Sequence, residues 1–391
     1  MTTDHTDFEN AYQQLFSWCR DLEFCGHDPF DALNSDLFRL SPFANSPTAR
    51  LLWTQLLKRS PIDLRGVALV LPGPNAKGIA LFALAQLAIY RRERSETAAQ
   101  EVKNLLSMLL WLKLEGFSGA AWGYNFDWQS RNFFAPRGTP TVVPTAFAAR
   151  ALIEAAREFP NEEYLNVARS AGDFLLRDLP RTVDTETELC FSYVPNSNTR
   201  IFNASLLAAE VLASLGNITN DPTLCATAER AARYVVNQQG PDGSWTYGTE
   251  PAQSWIDNFH TAYILFSLKR IIAACNSGEE FQHSLQRGYR YWLETFFLAD
   301  GWPKYYHDDL YPVDAHAAGS AIVTFMECRD LDERSTAMAQ QVASWTIQNL
   351  RDKRGFFYYQ RRRFYTIRKP YMRWTQAWML YALGRLLEGN V

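Results

Sequence analysis

Two kinds of helical segment alternate strictly along this chain, and that alternation constrains the fold more than any other feature. The first kind mixes charged and apolar residues at helical spacing, as a half-exposed helix does. It comprises SPTARLLWTQLLKR, EVKNLLSMLLWLKLE, EEYLNVARSAGDFLLRDL, PTLCATAERAARYVVNQQ, EEFQHSLQRGYRYWLETFF and ERSTAMAQQVASWTIQNL. The second kind is more continuously apolar, as helices enclosed by another layer should be: NAKGIALFALAQLAIY, TAFAARALIEAARE, NASLLAAEVLASL, DNFHTAYILFSLKRI, DAHAAGSAIVTFMEC and RWTQAWMLYALGRLLE. Polar breakers such as FPNEE, GNITNDP and NSGEE return the chain from each second helix to the next first helix. Six helical hairpins with inner and outer character predict an all-α, (α/α)6 toroid; an open α-solenoid is the alternative. Residues 1–45, including WCRDLEFCGHDPFDALNS, read as a loop-rich cover segment, and residues 46–391 as a single toroid domain.

Each hairpin loop carries aromatic residues, as in SGAAWGYNFDWQSRNFF, GPDGSWTYGTEPAQSW, DGWPKYYHDDLYP and RGFFYYQRRRFYTIRKP. The chain is 14 % aromatic, and in a closed ring these loops gather round one opening, where they either plug it or line a cleft. A net charge of −3 leaves no basic footprint for general nucleic-acid binding. The six cysteines lack metal-ligand spacing and read as ordinary reduced residues. The acidic start MTTDHTDFENAYQQ has no apolar segment of the secretory kind, and no run of about 20 apolar residues suggests a membrane span, so a cytoplasmic protein is expected.

The element QGPDGSW at Gln239–Trp245 resembles the Q-x-x-x-G-x-W motif of terpene cyclases and protein prenyltransferases, which implies a helical toroid. The aspartate-rich acid motif of the cyclases is missing, since YPVDAHA offers one Asp, and Phe259 stands where a prenyltransferase has its zinc-binding Cys. A wider resemblance runs through GHDPFDALNS, WGYNFDWQSR, DGSWTYG, WIDNFHTAY, YPVDAHAA and YMRWTQAWMLYAL. These segments look like those of bacterial proteins associated with cell-surface polysaccharide biosynthesis. That likeness implies a carbohydrate context and brings no catalytic assignment with it.

Polar residues at the starts of the inner helices are the candidates for chemistry: Lys77, Thr145, Asn203, Asp257, Asn258, His260, Asp314, His316, Arg373 and Gln376. Asp257 and His260 are three apart, hence on one helical face, and Arg373 and Gln376 repeat the spacing. Asp257 and Asp314 also suit plain helix capping. His260 and His316 hold similar places on successive inner helices and are expected to transfer protons, with Asp257 and Asp314 as orienting or acid groups. Paired histidines are also the catalytic style of sugar 2-epimerases of similar shape. Asn258, His260 and Tyr305 or Tyr306 resemble the Asn, His and Tyr set of helical-toroid lyases, with Phe259 interrupting the match. Hydrolysis by two carboxylates is open to Asp127, Asp257, Asp308, Asp309 and Asp314. A zinc site of Asp257, His260 and His316 is conceivable, but no metal or other cofactor is expected.

Loop cations, among them Arg131, Arg200, Arg361–Arg363 and Arg373, join the positive ends of the inner helices at one mouth. The expected partner is therefore an anionic oligosaccharide or polysaccharide. Trp122, Tyr124, Trp245 and Tyr306 are expected to stack on sugar rings, Arg373 to bind the negative charge, and Asp127, Arg131, Asn203 and Gln376 to complete the substrate contacts. Lyase, hydrolase and epimerase chemistry, and non-catalytic glycan binding, all remain compatible with these residues.

Overall fold

The computed structural model describes residues 2–130 and 133–389. Its α-helices are α1 (Thr2–Asp21), α2 (Asp36–Arg39), α3 (Pro47–Arg59), α4 (Ala76–Glu93), α5 (Glu96–Trp111), α6 (Val142–Glu158) and α7 (Glu162–Arg177). They continue with α8 (Phe202–Thr219), α9 (Pro222–Val236), α10 (Asn258–Cys275), α11 (Glu279–Phe296), α12 (Ala315–Glu327), α13 (Ser335–Leu350) and α14 (Ala377–Glu388). A π-turn at Met372–Gln376 leads into α14.

Helices α4, α6, α8, α10, α12 and α14 form the inner layer, each packed on the next, and α14 returns to α4. The ring is closed. The inner helices are buried almost all round; in α4 every residue from Ala76 to Ile89 is buried. Outer helices bury only a stripe, as α7 does with Tyr164, Ala168, Ala171 and Leu175, because their other face meets water. Side-chain caps fix several helix starts: Ser95 accepts from Ala98 N, Asp221 from Thr223 N, and Asp257 from His260 N.

One hairpin differs from the sequence expectation. The outer partner that completes the ring is α1, which packs against α13 and α14. Residues 2–21 are therefore helical, where a loop-rich segment was expected. Phe8, Ala11, Tyr12, Leu15 and Cys19 form a buried stripe at helical spacing, and Gln86 Nε2 donates to Tyr12 Oη at 2.7 Å. The turn-rich CGHDPF that follows masks this helix in the sequence. SPTARLLWTQLLKR, expected as the first outer helix, is α3; it packs on the turn at Asp31–Asn34 and on Trp128–Gln129. With Leu57, Ala32, Ala68 and Val70 it builds a small second core. The cover thus reaches from the end of α1 to the start of α4.

Short antiparallel ladders tie the hairpin loops, such as Gln360–Arg361, which pairs with Val313–Asp314 on one side and Thr366–Ile367 on the other. The QGPDGSW loop is locked from three sides. Gly243 has φ +97°, and a Cβ there would meet Arg287 O at 2.7 Å, so glycine is required. Gln239 Nε2 donates to Gly243 O and to Ser284 O, both at 3.0 Å. Trp245 Nε1 donates to Val235 O at 2.9 Å, and Trp122 makes the corresponding bond to Leu109 O at 2.8 Å. Both tryptophans, expected on the substrate, are buried wall struts.

Candidate active site

The N-terminal ends of the inner helices enclose a cavity of about 540 Å³. Lys77, Val143, Asn203, His260, His316 and Arg373 bring one residue from each of the six inner elements to it. Tyr124, Trp128, Tyr193, Tyr247, Tyr305 and Tyr306 supply aromatic surface from the loops. The cover contributes as well: Leu51, Gln55 and Lys58 form one stripe of α3 facing the cavity.

At the start of α10, Asp257 caps the helix through Oδ1, which accepts from His260 N at 2.9 Å. Its Oδ2 lies 2.7 Å from His260 Nδ1 and accepts from Trp255 Nε1 at 3.0 Å. A carboxylate accepts, so Nδ1 carries the imidazole proton and Nε2 is left as the basic nitrogen. The His260 side chain is 18 % exposed, whereas Asp257 is buried behind it. This is an oriented base at a cavity wall.

On α12, His316 Nε2 lies 2.8 Å from Tyr263 Oη, and Lys77 Nζ donates to the same oxygen at 2.8 Å. The Tyr263 proton is then directed to Nε2, and Nδ1, which has no partner among the described residues, carries the ring hydrogen. Burial, reinforced by Lys77 and Arg373, pushes the His316 pKa well below its ordinary value, so the ring is neutral. Burial likewise lowers Lys77, helped by Arg373 and Arg150, and raises the Tyr263 phenol. A Lys77–Tyr263–His316 chain therefore runs beneath the cavity.

The remaining expectations divide. Tyr124, Asn203 and Tyr306 line the cavity; Asn203 Oδ1 is buried with no partner among the described residues. Arg373 lines it too, but its guanidinium is bound to Asp28, Nε to Oδ2 at 2.5 Å and Nη2 to Oδ1 at 2.7 Å. Its charge is thereby already answered. Asp314 lies behind the cavity, accepting from His316 N at 2.9 Å, Trp374 Nε1 at 3.1 Å and Gln360 Nε2 at 3.0 Å. Gln376 clamps the Phe357 backbone through both amide atoms at 2.8 Å. Asp127 accepts from Arg137 N and Arg39 outside the cavity. Asn258 braces the loop, donating to Lys304 O and accepting from Trp292 Nε1. Arg131 lies outside the described residues. Among the described residues no three His, Cys, Asp or Glu side chains, Asp257, His260 and His316 included, converge as metal ligands.

Lys58, Gln55 and Asp28 carry no signal in the sequence, because the helical period of α3 suits a ring helix equally well and the Asp28–Arg373 pair joins residues 345 apart. Tyr263 had a usable signal, one turn after His260 on the same apolar helix.

No family model matches the chain, and no curated protein sequence matches it. Solved structures do. The cellobiose 2-epimerase of Bacillus thermoamylovorans B4167 superposes with TM-score 0.64 at 14 % identity, over 81 % of this chain and 88 % of that one. The GH76 alpha-mannanase BT2949 of Bacteroides thetaiotaomicron gives TM-score 0.65 at 14 % identity, over 81 % and 86 %. An unsaturated glucuronyl hydrolase specific for heparin gives 0.59 at 12 %, over 79 % and 85 %. The chain is an (α/α)6 toroid. At these identities the likeness establishes the fold alone.

Burial holds Asp314 up at about 6, against the opposing pull of its three donors and of Lys58. An acid raised in the fold binds its proton more tightly there, so it favours folding at low pH and costs stability as pH climbs past about 4 to about 6. Its full cost is about 3 kcal/mol for a rise from 3.8 to about 6. His316, held neutral, acts in the opposite sense: stability is lost as pH falls below about 6.5, where the unfolded imidazole charges. The two offset each other. Asp314→Asn keeps the cap, and Gln360 can turn its Oε1, which has no partner among the described residues, toward the new amide. Its Tm should therefore fall more steeply than wild type between about pH 6.5 and 4.5. Parallel Tm curves would show that Asp314 does not titrate in that window.

Proposed function

We propose that this chain is a sugar-processing enzyme that removes and returns a carbon-bound proton beside the carbonyl of an open-chain reducing sugar, as an epimerase or isomerase. The carrying observation is the Asp257–His260 pair at the cavity wall, with neutral His316 on the next inner helix. Asp257 is the carboxylate lining the cavity among the described residues, while Asp28 and Asp314 are buried and committed elsewhere. Hydrolysis needs two carboxylates about 5–9.5 Å apart across a glycosidic bond, which this arrangement does not favour. The lyase set loses Asn258 to its bracing role. Toroids named cellobiose 2-epimerase, sugar epimerase and D-mannose isomerase among the similar structures support the choice.

In this reading His260 Nε2 takes the proton at C2, and Asp257 stabilises the imidazolium. Negative charge then grows on the carbonyl oxygen, where His316 Nδ1–H is a donor. A proton given up by His316 at Nδ1 is replaced at Nε2 from Tyr263, and there from Lys77, which donates to Tyr263 Oη. Tyr124, Tyr247 and Tyr306 provide faces for sugar rings. Half-buried Lys58 and exposed Arg59 at the mouth favour an anionic glycan, such as one bearing uronates, in line with surface-polysaccharide metabolism in the cytoplasm.

The test is proton NMR in D2O on a panel of neutral and uronate-bearing reducing oligosaccharides. Loss of the C2 proton signal in at least one of them is expected. Tight glycan binding without exchange across the panel would sink the enzymatic reading in favour of recognition.

A further inference from the structure

Half of the exposed large apolar side chains among the described residues fall between Leu37 and Leu71, in the cover. Leu40 is 88 % exposed and Leu71 78 %. Helix α3 has two faces: Leu51, Gln55 and Lys58 look into the cavity, while Leu52 and Leu56, one turn apart, look into solvent. The patch does not end with the cover. Lys369 Nζ donates to Leu57 O at 2.5 Å, which brings the hairpin carrying Phe364, 86 % exposed, alongside α3. On the other flank the Arg50 guanidinium sits 3.9 Å from the exposed Phe134 ring.

Cations accompany these side chains in the same stretches of the chain. Arg50, Arg59, Arg363 and Arg368 are exposed or half-exposed in the same segments, and the stretch RRRFYTIRK contains no acid. Beyond Asn34 the cover carries two exposed acids, Asp36 and Asp63, the latter 3.7 Å from the buried Arg65. Exposed apolar side chains in this number, with cations in the same segments, mark a docking surface. Pairing with a second copy would set this basic fringe against itself, whereas an anionic bilayer neutralises it while taking up the leucines and phenylalanines.

We infer that the cover and the 360–370 hairpin dock this protein on an anionic membrane surface, apolar side chains inserted and arginines at the headgroups, with the cavity mouth beside the bilayer. No helix of the described residues is long and apolar enough to cross a membrane, so attachment is peripheral. Docking of this kind uses surface residues alone and does not depend on the reaction assigned to the cavity.

Co-sedimentation with sucrose-loaded vesicles tests it. Wild type should bind vesicles containing about 30 % phosphatidylglycerol at least tenfold more than pure phosphatidylcholine, and lose most of that binding at ~0.5 M salt. Leu52→Glu/Leu56→Glu should cut partitioning at least about tenfold and Phe364→Ser about threefold, with melting curves unchanged because these positions are exposed. Wild type remaining in the supernatant, or variants that sediment like wild type, would overturn the proposal. So would sedimentation velocity showing a wild-type dimer that the double variant splits, without vesicle binding; the face would then belong to a second copy.

Discussion

In His260→Gln, deuterium exchange at C2 of the sugar is expected to fall by about 100- to 10,000-fold, the usual worth of a positioned general base. The loss should sit in kcat, because His260 is only one contact in a cavity walled by aromatic rings, and KM should change little. Asp257→Asn is the more discriminating variant. Asparagine can still cap α10, so the helix start survives, but an amide NH2 facing His260 Nδ1 turns the imidazole to the wrong tautomer. We expect a loss of at least about 100-fold with an unchanged helical circular dichroism signal. Exchange at wild-type rate in either variant would remove His260 from the reaction and leave Asp257 as a cap and nothing more. The comparison separates a catalytic pair from a structural one, since the two roles share the same hydrogen bonds in the resting protein.

The inner ring was legible because burial on all sides forces a nearly continuous apolar composition, and six such segments interrupted by polar breakers admit few arrangements. The polar residues interrupting that composition were legible for the same reason: Asp257, His260, His316, Lys77 and Asn203 stand out against alanine and leucine, and all line the cavity. What sequence could not supply was direction. Trp122 and Trp245 sit in aromatic loops, yet each indole nitrogen finds a carbonyl at the end of the preceding outer helix and draws the ring into the wall. Asp314 and His316 are two apart, so one helix start aims the imidazole inward and leaves the carboxylate behind it. Helix α3 was misplaced because an amphipathic period reports a buried stripe without naming what buries it; here the stripe faces a cavity and a small satellite core.

Arg373 carries the second large prediction. It was expected to hold the substrate's charge, yet it is 3 % exposed and forked onto Asp28, itself 4 % exposed, across the join between cover and ring. A buried ion pair adds little net stability over a well-packed apolar pair, but removing one member strands the other without solvent or partner. Asp28→Ala should therefore cost about 3–5 kcal/mol, because the guanidinium loses both of its charge-assisted bonds. The damage should be local first: Arg65 Nη2 donates to Asp28 O at 2.6 Å and Nε to Asp31 Oδ1 at 2.8 Å, so the turn anchoring α3 depends on the same corner. Limited proteolysis should then open the cover between residues 22 and 75 before the ring yields. Asp28→Leu combined with Arg373→Met removes both charges while retaining bulk, and should recover most of the lost stability. If Arg373 instead waits for an anionic substrate with Asp28 as a passing neighbour, Asp28→Ala will fold as wild type does and bind acidic sugars more tightly. A stable, protease-resistant Asp28→Ala protein would thus return Arg373 to the substrate, and the join would need another fastening.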